Sequence, residues 1–223
     1  NPKPKWLNPA KTSRVKVICG TQGLSGQYEE TLPVNTYLSR EDVIDREVFG
    51  DSFFFRDGWF GVDLGPRTKL VATNYTLRQG GWGKSPVSWV LEGWSEFPAQ
   101  DYEDEEVALE PDPTPNPQGL PPGCWEPIDI RWRDNSFVKK WSEVEEPHFS
   151  LTFAVGNCPP KVEDPAVETL RDQLGSISKD GGTGYRALRV RQLENDADPE
   201  DSDEHPDWLW IQGFELYGTL TLT

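Results

Sequence analysis

Short runs in which apolar and polar residues alternate recur along most of the chain, and this periodicity limits the fold more than any other feature. Successive side chains of an extended strand point to opposite faces, so a period of two marks a strand with one face buried. Arg14–Cys19 (RVKVIC), Trp59–Leu64 (WFGVDL), Leu70–Leu77 (LVATNYTL) and Ser88–Glu92 (SWVLE) read this way. So do Ile128–Trp132 (IDIRW), Phe149–Val155 (FSLTFAV), Tyr185–Leu193 (YRALRVRQL), and the closing runs Trp208–Leu216 and Tyr217–Leu222. The 10 Trp, 10 Phe and 6 Tyr suit pleated, half-buried surfaces, and 20 Gly with 20 Pro supply many turns. Roughly eight strands at irregular spacing, with no strong amphipathic helix, predict an all-β sandwich or barrel. A chain of 223 residues fits one such domain, expected over 1–223.

Three stretches interrupt the strands and read as insertions near 97–123, 156–184 and 194–207. Phe97–Gly123 is rich in acid and proline, and proline cannot donate to a ladder, so an extended loop is expected. Within the second, Asp164–Leu174 fits a short helix, with Asp164 as N-cap and Pro165 at its first position. The third, Glu194–His205 (ENDADPEDSDEH), is a block of like charge that reads as a solvated loop. A short helical turn is also expected near Ser39–Val43.

The net charge of −16 argues against nucleic acid, whose phosphates need a basic footprint, and against an acidic membrane surface. No run of about 18 apolar residues is present to span a bilayer. Cys19, Cys124 and Cys158 are too scattered for a disulfide framework or a zinc site. Their odd number fits a reducing, intracellular location, cytoplasmic or nuclear, although one disulfide with a free thiol is an alternative. The chain opens Asn-Pro-Lys-Pro and contains no Met, which reads as a piece of a longer polypeptide. Asn74-Tyr75-Thr76 fits a glycosylation acceptor but falls inside a strand-like run.

No catalytic constellation emerges. His148 and His205 belong to no Ser/His/Asp signature, and no G-x-S-x-G elbow is present. Gly80–Ser85 (GGWGKS) is not a phosphate loop, because Arg78 stands where the first glycine belongs and a strand, not a helix, follows. Carboxylates crowd the loops, where the dry surroundings that tune a catalytic acid are lacking. Calcium loops of the D-x-[DN]-x-[DN]-G type are absent; a calcium held partly by backbone carbonyls would leave no trace. The chain is therefore expected to be no enzyme and to need no cofactor.

Five motifs in order carry a family resemblance. Trp59-Phe60-Gly61-Val62-Asp63-Leu64-Gly65, Tyr75-Thr76-Leu77-Arg78 and Trp89-Val90-Leu91-Glu92-Gly93 are followed by Tyr185-Arg186-Ala187-Leu188-Arg189-Val190 and Gly213-Phe214-Glu215-Leu216-Tyr217-Gly218. Trp6-Leu7-Asn8-Pro9 precedes them as a W-x-N-P opening. The set resembles the galactose-binding-like β-sandwich of the discoidin and coagulation-factor C-domain type. It is nearest to the intracellular variant of BTB-domain and ubiquitin-ligase proteins. The resemblance implies an antiparallel jelly-roll sandwich whose end loops bind a ligand. The chain departs from the pattern after Gly93, where the acidic, proline-rich insertion separates Trp94 from Trp125.

Most motif residues read as structural. Asp63 can hold the neighbouring turn by backbone hydrogen bonds, Gly65 and Gly93 mark turns, and Phe214, Leu216 and Tyr217 pack core and edge. Arg78 and Trp82 are the candidate binding residues, because they fall where a strand gives way to a glycine-rich loop on a rigid scaffold. A Trp face beside an Arg fork recognises sugars, carboxylates or peptide side chains. Lys84 adds charge, and Trp59 and Asp57 line the same end. The expected role is a non-catalytic module docking a protein or peptide partner, selected as basic by the acidic insertions. A carbohydrate-binding module and a structural subunit of a large assembly are the alternatives.

Overall fold

A computed structural model describes residues 15–19, 54–55, 59–79, 86–96, 120–143, 149–177, 184–195, 209–211 and 213–222. Over these the chain runs β1 (Lys16–Cys19), β2 (Phe54–Phe55), β3 (Trp59–Asp63), β4 (Thr68–Gln79), β5 (Pro86–Glu96) and β6 (Gly123–Arg131). Helix α1 (Ser136–Glu143), β7 (Phe149–Ala154), α2 (Pro165–Ile177), β8 (Ala187–Asn195), β9 (Leu209–Trp210) and β10 (Gly213–Leu222) follow. Every strand pairing is antiparallel. A five-stranded sheet in the order β1-β3-β8-β5-β6 faces a three-stranded sheet β10-β4-β7, and β2 pairs with β9 apart from both. The chain is thus an all-β antiparallel sandwich, as the alternating runs predict.

The core lies between the two sheets. Phe60, Trp89, Leu91, Leu188 and Val190 come from the larger sheet, and Leu70, Tyr75, Leu77, Phe153 and Phe214 from the smaller. Phe60 meets Phe214 edge-on at 6.3 Å, and Trp89 meets Phe153 at 5.1 Å. The larger sheet is buried on its second face as well. There Val90 and Ile130 pack beneath Val167 and Leu174 of α2, so the 156–184 stretch supplies a cover for the sheet. Beside it Trp59, Trp94, Trp125, Ile18, Leu120 and Ala187 form a separate cluster.

The outer face also buries charge. Glu92 and Arg189 are each 2% exposed. Arg189 Nε donates to Glu92 Oε2 at 2.6 Å, and Arg191 donates through Nη2 to Oε1 at 2.8 Å and through Nε to Oε2 at 3.2 Å. The Arg189 guanidinium lies 4.2 Å from the centre of the Trp125 ring and 5.3 Å from that of Trp59. Burial pushes the Glu92 carboxyl up, but the two arginines outweigh it and hold the group below its ordinary value. A second network ties the sheets together. Trp89 Nε1 donates to the Tyr75 hydroxyl at 2.8 Å, which donates to Asp129 Oδ2 at 2.7 Å. Asp129 also accepts from Arg131 Nε at 3.0 Å and from the Asn157 amide at 2.6 Å. Burial nevertheless raises the Asp129 carboxyl.

Several expectations are met in detail. Asp63 accepts from the Gly65 amide at 2.8 Å, and Gly65 has φ +88°, in the left-handed region open to glycine. Arg186 adds a bidentate grip on the same carboxylate at 2.9 and 3.0 Å. Asp164 caps α2 by accepting from the amides of Ala166 at 2.9 Å and Val167 at 3.3 Å.

Other expectations are corrected. Gly93 is not at a turn: it lies inside β5, and a Cβ there would stand 2.3 Å from the Tyr185 ring. The loop expected over 97–123 ends earlier, because Leu120 is buried and Gly123 pairs with Glu96. Strand β6 extends back past Pro127, which an edge strand at a bulge tolerates; the register slips there, with Leu91 opposite Asp129 and Glu92 opposite Pro127. Glu194 and Asn195 belong to β8 rather than to the acidic insertion. Helix α1 was not expected. It is short, capped by Asp134, whose Oδ1 accepts from the Ser136 amide at 3.0 Å. Its Phe137 closes the core against Trp89 and Phe153. The expected turn near 39–43, His148 and His205 lie outside the described residues.

Candidate binding face

The side of the three-stranded sheet that faces away from the core is built by alternation. In β4, Tyr75 and Leu77 point into the core, so Asn74, Thr76 and Arg78 fall on the other face. The register sets Glu215 of β10 and Thr152 of β7 on either side of Thr76, and Gly213 and Ser150 on either side of Arg78. Phe214 is buried and Tyr217 is 38% exposed, so β10 turns Glu215 and Tyr217 outward.

These outward residues are connected. Arg78 Nη2 donates to Glu215 Oε1, and the Tyr217 hydroxyl donates to Glu215 Oε2. The Thr76 hydroxyl reaches the Tyr217 oxygen at 3.5 Å and shares a hydrogen bond with Thr152 at 2.7 Å. A row of charge and hydroxyl groups therefore crosses all three strands. Glu215 is engaged from both sides, which fixes the Arg78 fork and leaves the Tyr217 ring facing outward. Within it Thr152 and Tyr217 are exposed, Arg78 and Glu215 are partly covered and Thr76 is buried, so the hydroxyls of Thr152 and Tyr217 are the groups most open to a docked chain or sugar. Among the described residues, no three His, Cys, Asp or Glu side chains gather as a metal site would require.

Strand pairing decides what lies near this row. Gln79 is opposite Phe149, Arg78 opposite Gly213, Pro86 opposite Asn195, Trp89 opposite Arg131 and Trp59 opposite Arg191. The strand ends at Trp59, Gln79, Pro86, Phe149 and Asn195 therefore all lie at the Arg78 end. The acidic, proline-rich segment after Glu96 leaves from the opposite end, where Glu96 pairs with Gly123.

Of the residues singled out from sequence, Arg78 stands in this row. Trp82, Lys84 and Asp57 lie outside the described residues. Trp59 is 2% exposed and packs in the outer-face cluster near Arg189. Glu215, Tyr217, Thr76 and Thr152 escaped the sequence reading as site residues. Alternation in β4 and β10 gives their sidedness, but only the register brings them together.

A comparison with protein-family models found no match, and a comparison with curated proteins found none either. Among the described residues, no helix is long and apolar enough to cross a membrane.

Proposed function

We propose that this domain is a non-catalytic binding module of a larger intracellular protein, docking a protein or peptide partner at the Arg78 end of the sandwich. The observation that supports this reading most is the Arg78–Glu215–Tyr217–Thr76–Thr152 row, which crosses three strands at the end of β4 and presents Tyr217 and Thr152 to solvent. Binding residues concentrate where a rigid scaffold carries loops, and Arg held by a carboxylate keeps a fixed fork for a partner. In this reading the strand motifs belong to a galactose-binding-like sandwich of the BTB and ubiquitin-ligase type. The net charge of −16 selects basic partners by steering.

The test is affinity capture from a cell extract with the full chain as bait, beside the double variant Arg78→Ala, Trp82→Ala. A set of partners lost with the double variant supports the reading. Capture unchanged by it removes this end as the docking surface. A glycan array read in parallel assigns the domain to sugars instead if it gives specific signals that the same double variant abolishes.

A further inference from the structure

Among the described residues strand β10 is an edge: its one neighbour is β4, and from Gly218 to Leu222 it is exposed throughout. The register slips between Tyr217 and Gly218, so that Tyr217 faces Asn74 while Gly218 faces Ala72, and Thr73 is the extra residue of β4. Past the slip, Leu220 stands directly opposite Leu70, a core residue that is 5% exposed. Residues opposite each other in a ladder share a face, so Leu220 and, two positions on, Leu222 continue the core-side row of Phe214 and Leu216. They are nevertheless 62% and 85% exposed. The core row thus runs on beyond the part of the sandwich that covers it.

Proteins usually guard such an edge with lysine, proline or an inward-pointing charge. Gly218–Leu222 (GTLTL) has none of these. An unguarded edge with apolar side chains on its core side is what a strand-adding partner needs: its backbone pairs with the edge and its alternate side chains cover the leucines. We infer that β10 accepts an extended, basic segment of another protein as a further strand along Gly218–Leu222. The charge of the occupant follows from that of the domain. A net −16 attracts a basic chain and repels a second copy of itself, and Lys69, opposite Thr221 on β4, does not offset that total. The inference rests on the reading of the domain as a binding module, but it uses a surface other than the Arg78 row.

The experiment uses the full chain and a short fluorescein-labelled peptide of alternating lysine and valine, followed by anisotropy. Saturable binding that weakens with added salt is expected, with affinity falling about tenfold in Leu220→Lys through lost apolar cover and added like charge. Leu222→Lys should weaken it in the same direction. Both leucines are solvent-exposed, and an unaltered thermal midpoint in each variant verifies the fold. Equal binding by the lysine variants overturns the inference. So does equal binding of a glutamate–valine peptide, or a dimer in sedimentation that Leu220→Lys dissolves, since a second copy would then own the edge. If the peptide binds at β10 while captured partners ignore Arg78→Ala, Trp82→Ala, the loop-end reading fails and the edge stands. The reverse pattern separates them in the opposite sense.

Discussion

Replacing Glu92 by Gln keeps the size and shape of the side chain and removes one charge from between two guanidinium groups. Arg189 is as deeply buried as its partner, at 2% exposed, whereas the Arg191 side chain retains 25%. In Glu92→Gln the Arg189 cation therefore stays in the interior without the carboxylate that balances it. Removing one member of a buried pair costs about 3–5 kcal/mol, because the other charge remains desolvated. A domain has about 5–15 kcal/mol in total, so the variant should lose a large share of its stability. Urea unfolding at neutral pH should show the midpoint lowered by about 1–2 M.

Arg189→Met is the contrasting change. It gives up the 2.6 Å contact with Glu92 and the stacking on Trp125, but leaves the Glu92 carboxylate held by both Arg191 contacts, so no buried charge loses its last counter-charge. The two variants should therefore differ, with Glu92→Gln the worse. The pH dependence has a definite sign. The folded state holds Glu92 below its ordinary value, so its contribution is fully present above the usual glutamate range and disappears as pH falls through the folded value. The gap between wild type and Glu92→Gln should narrow on acidification. Equal losses in the two variants, or a Glu92→Gln midpoint at the wild-type value, would refute this account of the buried cluster.

Four further outcomes are expected. Tyr75→Phe removes the hydroxyl that accepts from Trp89 and donates to Asp129, and should cost about 1–3 kcal/mol in urea or thermal unfolding. Asp164→Ala should cost about 1 kcal/mol and speed amide exchange in the first turn of α2, with little change in β6. Gly61→Ala would set its Cβ 2.3 Å from the Leu188 carbonyl oxygen and should yield little folded protein. Gly65→Ala meets no atom within 4 Å and carries only the left-handed backbone penalty of about 1–2 kcal/mol, so it should fold.

The strand periodicity in this sequence was enough to establish an all-β protein, because alternation reports directly which side chains of an extended chain are buried. Local chemistry was equally plain where partners lie two or three residues apart, as in the Asp63–Gly65 turn and the Asp164 cap. Gly93 was misread because nothing near it in sequence announces the Tyr185 ring that excludes a side chain there. Helix α1 was missed because a short helix anchored by Phe137 carries too little periodicity, and β6 was shortened because a proline inside a strand becomes acceptable only at an edge with a bulge. The pairing of Glu92 with Arg189, the Arg78–Glu215–Tyr217 row and the overhanging Leu220 depend on register between strands far apart in the chain. One residue of slip would send each to the other face. Alternation fixes sidedness along one strand; which sides meet is decided only when the sheets assemble.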